Sequence, residues 1–150
     1  MTTDYQTLIA QARALTADES DVIANMANIS ALLFNGMQGL NWAGFYRVVD
    51  GELVLGPFQG QTACIRIAFG KGVCGTAAAT KVTQIVADVH LFEGHIACDS
   101  ASNSEIVIPL IVNDEVVAVL DIDSPEFDRF SAIDAENLSE IVNILVANWS

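Results

Sequence analysis

"SEIVIPLIVNDEVVAVLDID", Ser104 to Asp123, decides the fold class. Two runs rich in Val and Ile flank Asn113-Asp114, the signature of a β-hairpin and so of an antiparallel sheet. At its end, "LDID" alternates: Asp121 and Asp123 fall on one strand face, Leu120 and Ile122 on the other. An aspartate pair of this kind is by default a solvated face. The alternative is a pocket in which burial and charge crowding raise a pKa until one acid keeps its proton. A plain two-residue turn sets Asp121 opposite Ile106 and points Glu105 away. A one-residue bulge would bring Glu105 round to the aspartates, and Pro109, which cannot donate to a ladder, is the expected place for it.

Outward from this hairpin, "WAGFYRVV" and "ELVLGPF" read as strands joined by Asp50-Gly51, a second hairpin turn, and "ACIRIAF" as a third strand. Tyr5, Leu8, Ile9, Ala12 and Leu15 recur at helical spacing. So do Val22, Met26, Ile29, Leu33 and Met37, behind Asp18 or Ser20 as N-cap. Leu138, Ile141, Val142, Leu145, Val146 and Trp149 form a last helical stripe after an N-cap at Ser131. The expected class is α+β, one domain over residues 1–150: a mainly antiparallel sheet with N- and C-terminal helices packed on one face. Residues 70–104 carry few strand signals and read as the connection in which functional residues gather.

Net charge is −13, from six Lys and Arg against nineteen Asp and Glu, so nucleic acid and anionic membranes are excluded as partners for want of a basic patch. Val22 to Tyr46 has no charged residue, but the asparagines and glycines that interrupt it fit a buried helix and a strand better than a membrane span. The N-terminus lacks a signal peptide's basic start and apolar core, which points to the cytoplasm. Three cysteines, Cys64, Cys74 and Cys98, are an odd set in a reducing compartment. They are open to buried thiols, metal ligation or transient redox chemistry.

"GKGVCG", Gly70 to Gly75, matches G-x-G-x-x-G, but the alternating strands and helices of a dinucleotide fold are missing. What remains is a tight turn into a helix whose N-terminal amides attract an anion such as a carboxylate. His90, His95 and Cys98 fall short of a four-ligand zinc set, and no metal is expected. Trp42 and Tyr46 share one strand face and can either pack in the core or line a small-molecule pocket.

"WAGFY", "LVLGPFQG", "ACIRI", "GKGVCGTAA", "DVHLFEGHIACDSASNSEIVIPL" and "VLDIDSPEFDRF" together resemble the free methionine-R-sulfoxide reductases, single GAF-type domains. The likeness runs from about Asn41 to the C-terminal helix, and the cysteine spacing agrees. Ala68 stands where the family pattern has proline, a departure that touches strand-end geometry. The resemblance implies that Cys98 is the nucleophile, Cys64 the resolving cysteine and Cys74 an assisting one, with a Cys64–Cys98 disulfide in the oxidised enzyme. Glu105, Asp121 and Asp123 become active-site acids that donate a proton and hold the substrate's ammonium. Trp42 packs on its methyl group, and Tyr46 belongs to the pocket. The implied substrate is free methionine sulfoxide, the implied reductant thioredoxin, with homodimers among the members and no metal or organic cofactor. The competing class is a non-catalytic GAF small-molecule-sensing module.

Overall fold

The structure, a computed structural model, describes residues 2–95 and 101–149. Six strands form one antiparallel sheet in the order β3-β2-β1-β6-β5-β4. They are β1 (Trp42–Val49), β2 (Glu52–Gly60), β3 (Arg66–Ala68), β4 (Gln84–Val86), β5 (Ser104–Val112) and β6 (Glu115–Ser124). Both expected hairpins are present. Asp50 and Gly51 turn with φ of 51° and 82°, Asn113 and Asp114 with 53° and 66°. Such paired positive values give a turn whose twist suits the flanking strands.

The helices are α1 (Tyr5–Thr16), α2 (Val22–Gly36), α3 (Gly72–Thr80) and α4 (Ala132–Ala147). From α1, α2 and α4, Leu8, Ala12, Met26, Ile29, Leu33, Leu138, Ile141 and Leu145 pack on Ala43, Phe45, Ile106, Ile108, Leu120 and Ile122 of the sheet. That is the helix-covered face expected from the apolar stripes. Ser131 caps α4 with a capping box: its hydroxyl accepts from the Asp134 amide, and the Asp134 carboxylate accepts from the Ser131 amide. The Tyr5 hydroxyl also donates to Asp134, fastening α1 to the start of α4.

Four local expectations change. The N-cap of α2 is Asp21, not Asp18 or Ser20; it stands directly before the first helical residue, and its carboxylate accepts from the Ala24 amide at 3.0 Å. In "ACIRIAF" only Arg66–Ala68 is strand. The carbonyls of Gln61 and Cys64 instead accept from the Trp42 indole and the Tyr46 hydroxyl, at 3.0 and 2.8 Å. A short edge strand, β4, lies in the middle stretch that carries little strand signal, and pairs with β5. Lastly, α3 lies on the face opposite the other helices, where Val73, Ala77 and Ala78 meet Trp42, Tyr46, Val107 and Val119.

The β5–β6 ladder breaks register between Leu110 and Ile111: Ile111 pairs with Val116, Leu110 with Ala118. Val117 is therefore the extra residue of a one-residue bulge on β6. Val117 and Ala118 both pack towards the helix-covered core, while Val116 and Val119 face the other side. The expected irregularity exists, but next to Pro109 and on the opposite strand. Pro109 itself pairs with Val119.

Candidate active site

Because the bulge reverses which side each β6 residue faces, Asp121 and Asp123 come to the face of Glu105 rather than the face of Ile106. Glu105 then sits directly opposite Asp123, and Val107 opposite Asp121. On the other side β6 pairs with β1, placing Trp42 opposite Asp123 and Gly44 opposite Asp121. The three acids are 8%, 6% and 9% exposed, which rejects the solvated-face reading of the aspartates. They line a cleft shared with Trp42, Tyr46, Cys74 and the first turn of α3.

The aromatic wall depends on a missing side chain. A Cβ at Gly44 would lie 2.3 Å from the Phe58 Cβ. With glycine there, Phe58 stacks on Trp42 at 5.1 Å, and Trp42 on Tyr46 at 6.0 Å. The opposite wall also needs a glycine: a Cβ at Gly75 would meet the Ala68 carbonyl at 2.4 Å. Gly75 thus lets α3 settle against the end of β3. Lys71, Gly72, Val73 and Cys74 line the cleft there, and the N-cap residue Lys71 makes no side-chain cap. The first-turn amides of a helix lack intrahelical partners, so this end of α3 offers N–H donors and the positive end of a dipole.

Burial pushes the Glu105 carboxyl well above the usual glutamate range, and the charges of Asp121 and Asp123 push it further. Burial also raises Asp121, against hydrogen bonds from Glu105, Cys74 and Asp123 that pull it down. Carboxyls this close disfavour full ionisation and titrate as a group, with the strongest upward push on Glu105. Asp121 Oδ1 is buried with no hydrogen-bond partner among the described residues. Burial first, then Asp121 and Glu105, raises the Cys74 thiol well above its ordinary value, so it stays protonated. Its Sγ lies 4.0 Å from Glu105 Oε2. Burial, reinforced by Asp121, keeps the Tyr46 phenol neutral, so it remains a donor.

The structure thus brings Trp42, Tyr46, Cys74, Glu105, Asp121 and Asp123 into one cleft. Cys64 is half-buried and packs on the apolar cluster of the same face. It is disulfide-bonded, whereas Cys74 is a free thiol. Cys98 lies outside the described residues, and so does its half of the expected Cys64–Cys98 bond. Of the two histidines, His90 is exposed and bonded to Asp88 at 2.8 Å, while His95 lines the cleft. Burial and the nearby His90 lower the His95 pKa, favouring the neutral ring. Cys74, Glu105 and Asp121 offer ligand atoms within 4.8 Å of one another and could hold a cation, a grouping different from the one formed by His90, His95 and Cys98 in the sequence. Sequence reasoning missed Lys71, Val73, His95 and Ser102 as lining residues. Only "GKGVCG" carried a signal, through the glycines of a turn into a helix.

The GAF domain family matches residues 16–148. A free methionine-R-sulfoxide reductase of Escherichia coli is 53% identical over 138 residues, 92% of this chain and 84% of that protein. Protein YtsP of Bacillus subtilis is 55% identical over 95% of this chain and 88% of its own length. The chain belongs to the free methionine-R-sulfoxide reductase family. The structure of fRMsr of Staphylococcus aureus in complex with substrate superposes with a TM-score of 0.96 at 49% identity, covering 100% of this chain and 98% of that one. The two chains share one fold, and the GAF-type fold expected from the resemblance is the fold observed. No helix among the described residues is long and apolar enough to cross a membrane.

Proposed function

We propose that this chain reduces free methionine-R-sulfoxide to methionine in the cleft between β6 and α3. The observation that carries the reading is the buried carboxyl trio beside an aromatic wall, one member of which, Glu105, is pushed well above the usual glutamate range by burial and by the two aspartates. A sulfoxide oxygen needs a proton as the S–O bond breaks, and a raised carboxylic acid supplies it. Glu105 takes that role. Asp121 and Asp123 hold the substrate's ammonium, with Asp121 Oδ1 available to accept from it. The first turn of α3 receives the carboxylate, and Trp42 faces the methyl group.

In the chemical step the Cys98 thiol attacks the sulfoxide sulfur and takes the oxygen, giving methionine and a sulfenic acid on Cys98. The Cys64 thiol then condenses with the sulfenic acid, releasing water and forming the disulfide. That Cys64 is disulfide-bonded while Cys74 is free supports this pairing. Thioredoxin reduces the bond by exchange in the cytoplasm. Family likeness supports Cys98 as nucleophile, and the suppressed ionisation of Cys74 argues against that residue in the role.

Mixing the pure protein with methionine-R-sulfoxide and dithiothreitol tests the activity. Methionine should accumulate, whereas binding without turnover would favour a sensing module. Cys98→Ser should form no methionine in a single turnover, since a hydroxyl is a far weaker nucleophile. Cys64→Ser should match wild type in the first turnover and fail in recycling. Equal single-turnover yields from Cys98→Ser and wild type would remove Cys98 from the mechanism.

A further inference from the structure

We infer that Cys74, Glu105 and Asp121 form an inhibitory site for a divalent cation of the zinc class, which closes the cleft to substrate when it binds. The inhibition rests on the reading above, whereas the binding stands on geometry alone. The three side chains come from α3, β5 and β6, and one ligand atom from each lies within 4.8 Å of the other two. Cys74 Sγ and Glu105 Oε2 are 4.0 Å apart. Tetrahedral zinc, with bonds of about 2.3 Å to sulfur and about 2.0–2.2 Å to oxygen, sets its ligand atoms roughly 3.5 Å from one another. Side-chain shifts of about 1 Å or less therefore close the set. The three residues are 4%, 8% and 6% exposed, so a cation held among them is shielded from bulk water. Independently of that spacing, Asp121 Oδ1 is buried with no hydrogen-bond partner among the described residues. A dehydrated carboxylate oxygen that no protein donor satisfies is a seat for a cation. The substrate's ammonium is one such cation and a metal ion another, and they exclude each other.

The donor set chooses the class of ion. Mg²⁺ and Ca²⁺ take six or more oxygens and have no use for sulfur. One thiolate with two carboxylates suits Zn²⁺, and a chain of net charge −13 draws cations towards it. Three protein ligands leave a fourth position, open to the cleft, for water. The other ionisable groups lining the cleft are Asp123 of β6, Tyr46 of β1, Lys71 at the start of α3, and His95. Asp123 adds to the attraction and Lys71 opposes it. Burial keeps the Tyr46 phenol neutral, and burial and His90 favour the uncharged His95 ring.

Binding expels the Cys74 thiol proton, and any proton that Glu105 retains, into solvent, because a coordinating thiol is deprotonated outright. Nothing is oxidised or reduced. The bound ion takes Glu105 out of proton donation and Asp121 out of ammonium binding. It acts as a reversible brake on the reaction and not as its cofactor.

Titration with Co²⁺, in a buffer free of dithiols that would chelate it, tests the site. One Co²⁺ per chain should bind with the near-ultraviolet charge-transfer band of a thiolate ligand and the visible bands of a tetrahedral ion. The double variant Cys64→Ser/Cys98→Ser, in which Cys74 is the remaining cysteine, should keep the charge-transfer band, and Cys74→Ala should lose it. Glu105→Gln and Asp121→Asn keep the side-chain size, and each should weaken Zn²⁺ binding in equilibrium dialysis by about tenfold or more. A band lost in the double variant, or Zn²⁺ affinity unchanged in both carboxyl variants, would put the cation elsewhere and overturn the site. Saturating Zn²⁺ should slow single-turnover methionine formation by the wild type about 10²-fold or more, the size expected for loss of the general acid. A metal chelator or excess methionine-R-sulfoxide should restore it. An undiminished rate at saturating Zn²⁺ would overturn the inhibition. Absence of methionine from the zinc-free wild type would instead be a failure of the reductase reading, and the cobalt band would still decide the site.

Discussion

The two faces of the same three central strands have opposite chemistry. On the helix-covered face β6 presents Leu120 and Ile122, fully buried against α1, α2 and α4. On the other face the same strand presents Asp121 and Asp123, also buried, against β5's Glu105 and the aromatic wall of β1. Both sets are buried, so burial alone does not separate core from site. What separates them is whether the buried groups lose or keep a cost on leaving water. The apolar face is stabilised by dehydration. The acidic face holds carboxyls whose charged forms lose hydration there and repel one another, so ionisation is disfavoured. One residue, Val117, keeps the two sets apart by bulging the strand before they begin.

The sharpest way to break this contrast is to delete Val117. A regular ladder would swing Asp121 and Asp123 towards the apolar helical core and Leu120 and Ile122 towards the cleft. Burying carboxyls without partners costs several kcal/mol each, against a total stability of about 5–15 kcal/mol. The deletion should abolish the cooperative thermal transition seen by circular dichroism. A variant that melts like wild type and still turns over would show that register is held by something other than the bulge.

Much of this contrast was legible in the sequence. Period-two alternation in "LDID" separates the aspartates from Leu120 and Ile122, and Asn113-Asp114 places the turn. The three stripes of α1, α2 and α4 reach the same face because all are apolar at helical spacing. The bulge was deducible only as a need, since a β-branched valine gives no local mark of being the extra residue. α3 was legible as a turn into a helix but not as a wall. Its apolar residues, Val73 and the alanines, run around the helix without a stripe, so its face is chosen by Gly75 fitting under Ala68. The strand expected at Ala63–Ile65 is absent where the Cys64 carbonyl accepts from the Tyr46 hydroxyl, a side chain distant in sequence, rather than from a strand amide.

Truncation on the apolar face should cost stability and spare chemistry. Leu120→Ala leaves a cavity under α4 and should lower stability by about 2–5 kcal/mol. Its kcat in dithiothreitol, measured well below the melting temperature, should stay within a few-fold of wild type. A large kcat loss in a fully folded Leu120→Ala protein would mean that the two faces are coupled.

The mirror experiment is Glu105→Gln. The amide keeps the size and loses the transferable proton, so single-turnover reduction should slow by about 10²-fold, the size expected of a general acid. Chemical denaturation should find the variant folded. For the wild type, the single-turnover rate should fall as pH rises through the raised Glu105 pKa, and that limb should vanish in the variant. An unimpaired Glu105→Gln enzyme would leave proton donation to the aspartates.

The smallest effect is on stability against pH, and its sign is fixed by the same raised pKa. Below about pH 4 Glu105 is protonated in both folded and unfolded chains. As pH rises above that, the unfolded chain ionises while burial and the two aspartates hold the folded group neutral. The unfolded state then binds fewer protons, so stability falls with pH until the folded pKa is passed. Asp121, also raised, contributes a decline of the same sign, while the lowered, exposed Asp4 and Asp88 act in the opposite direction. Subtracting Glu105→Gln from wild type cancels Asp4 and Asp88 and leaves the linked contribution of Glu105 and its partner Asp121. In urea titrations from pH 4 to pH 7 the variant should therefore gain stability relative to wild type as pH rises. It would then be slower and yet more robust, as expected if the acidic face holds its proton at the expense of the fold. A difference that stays flat across that range would mean that Glu105 titrates as it does in the unfolded chain, and would withdraw it as the proton reservoir.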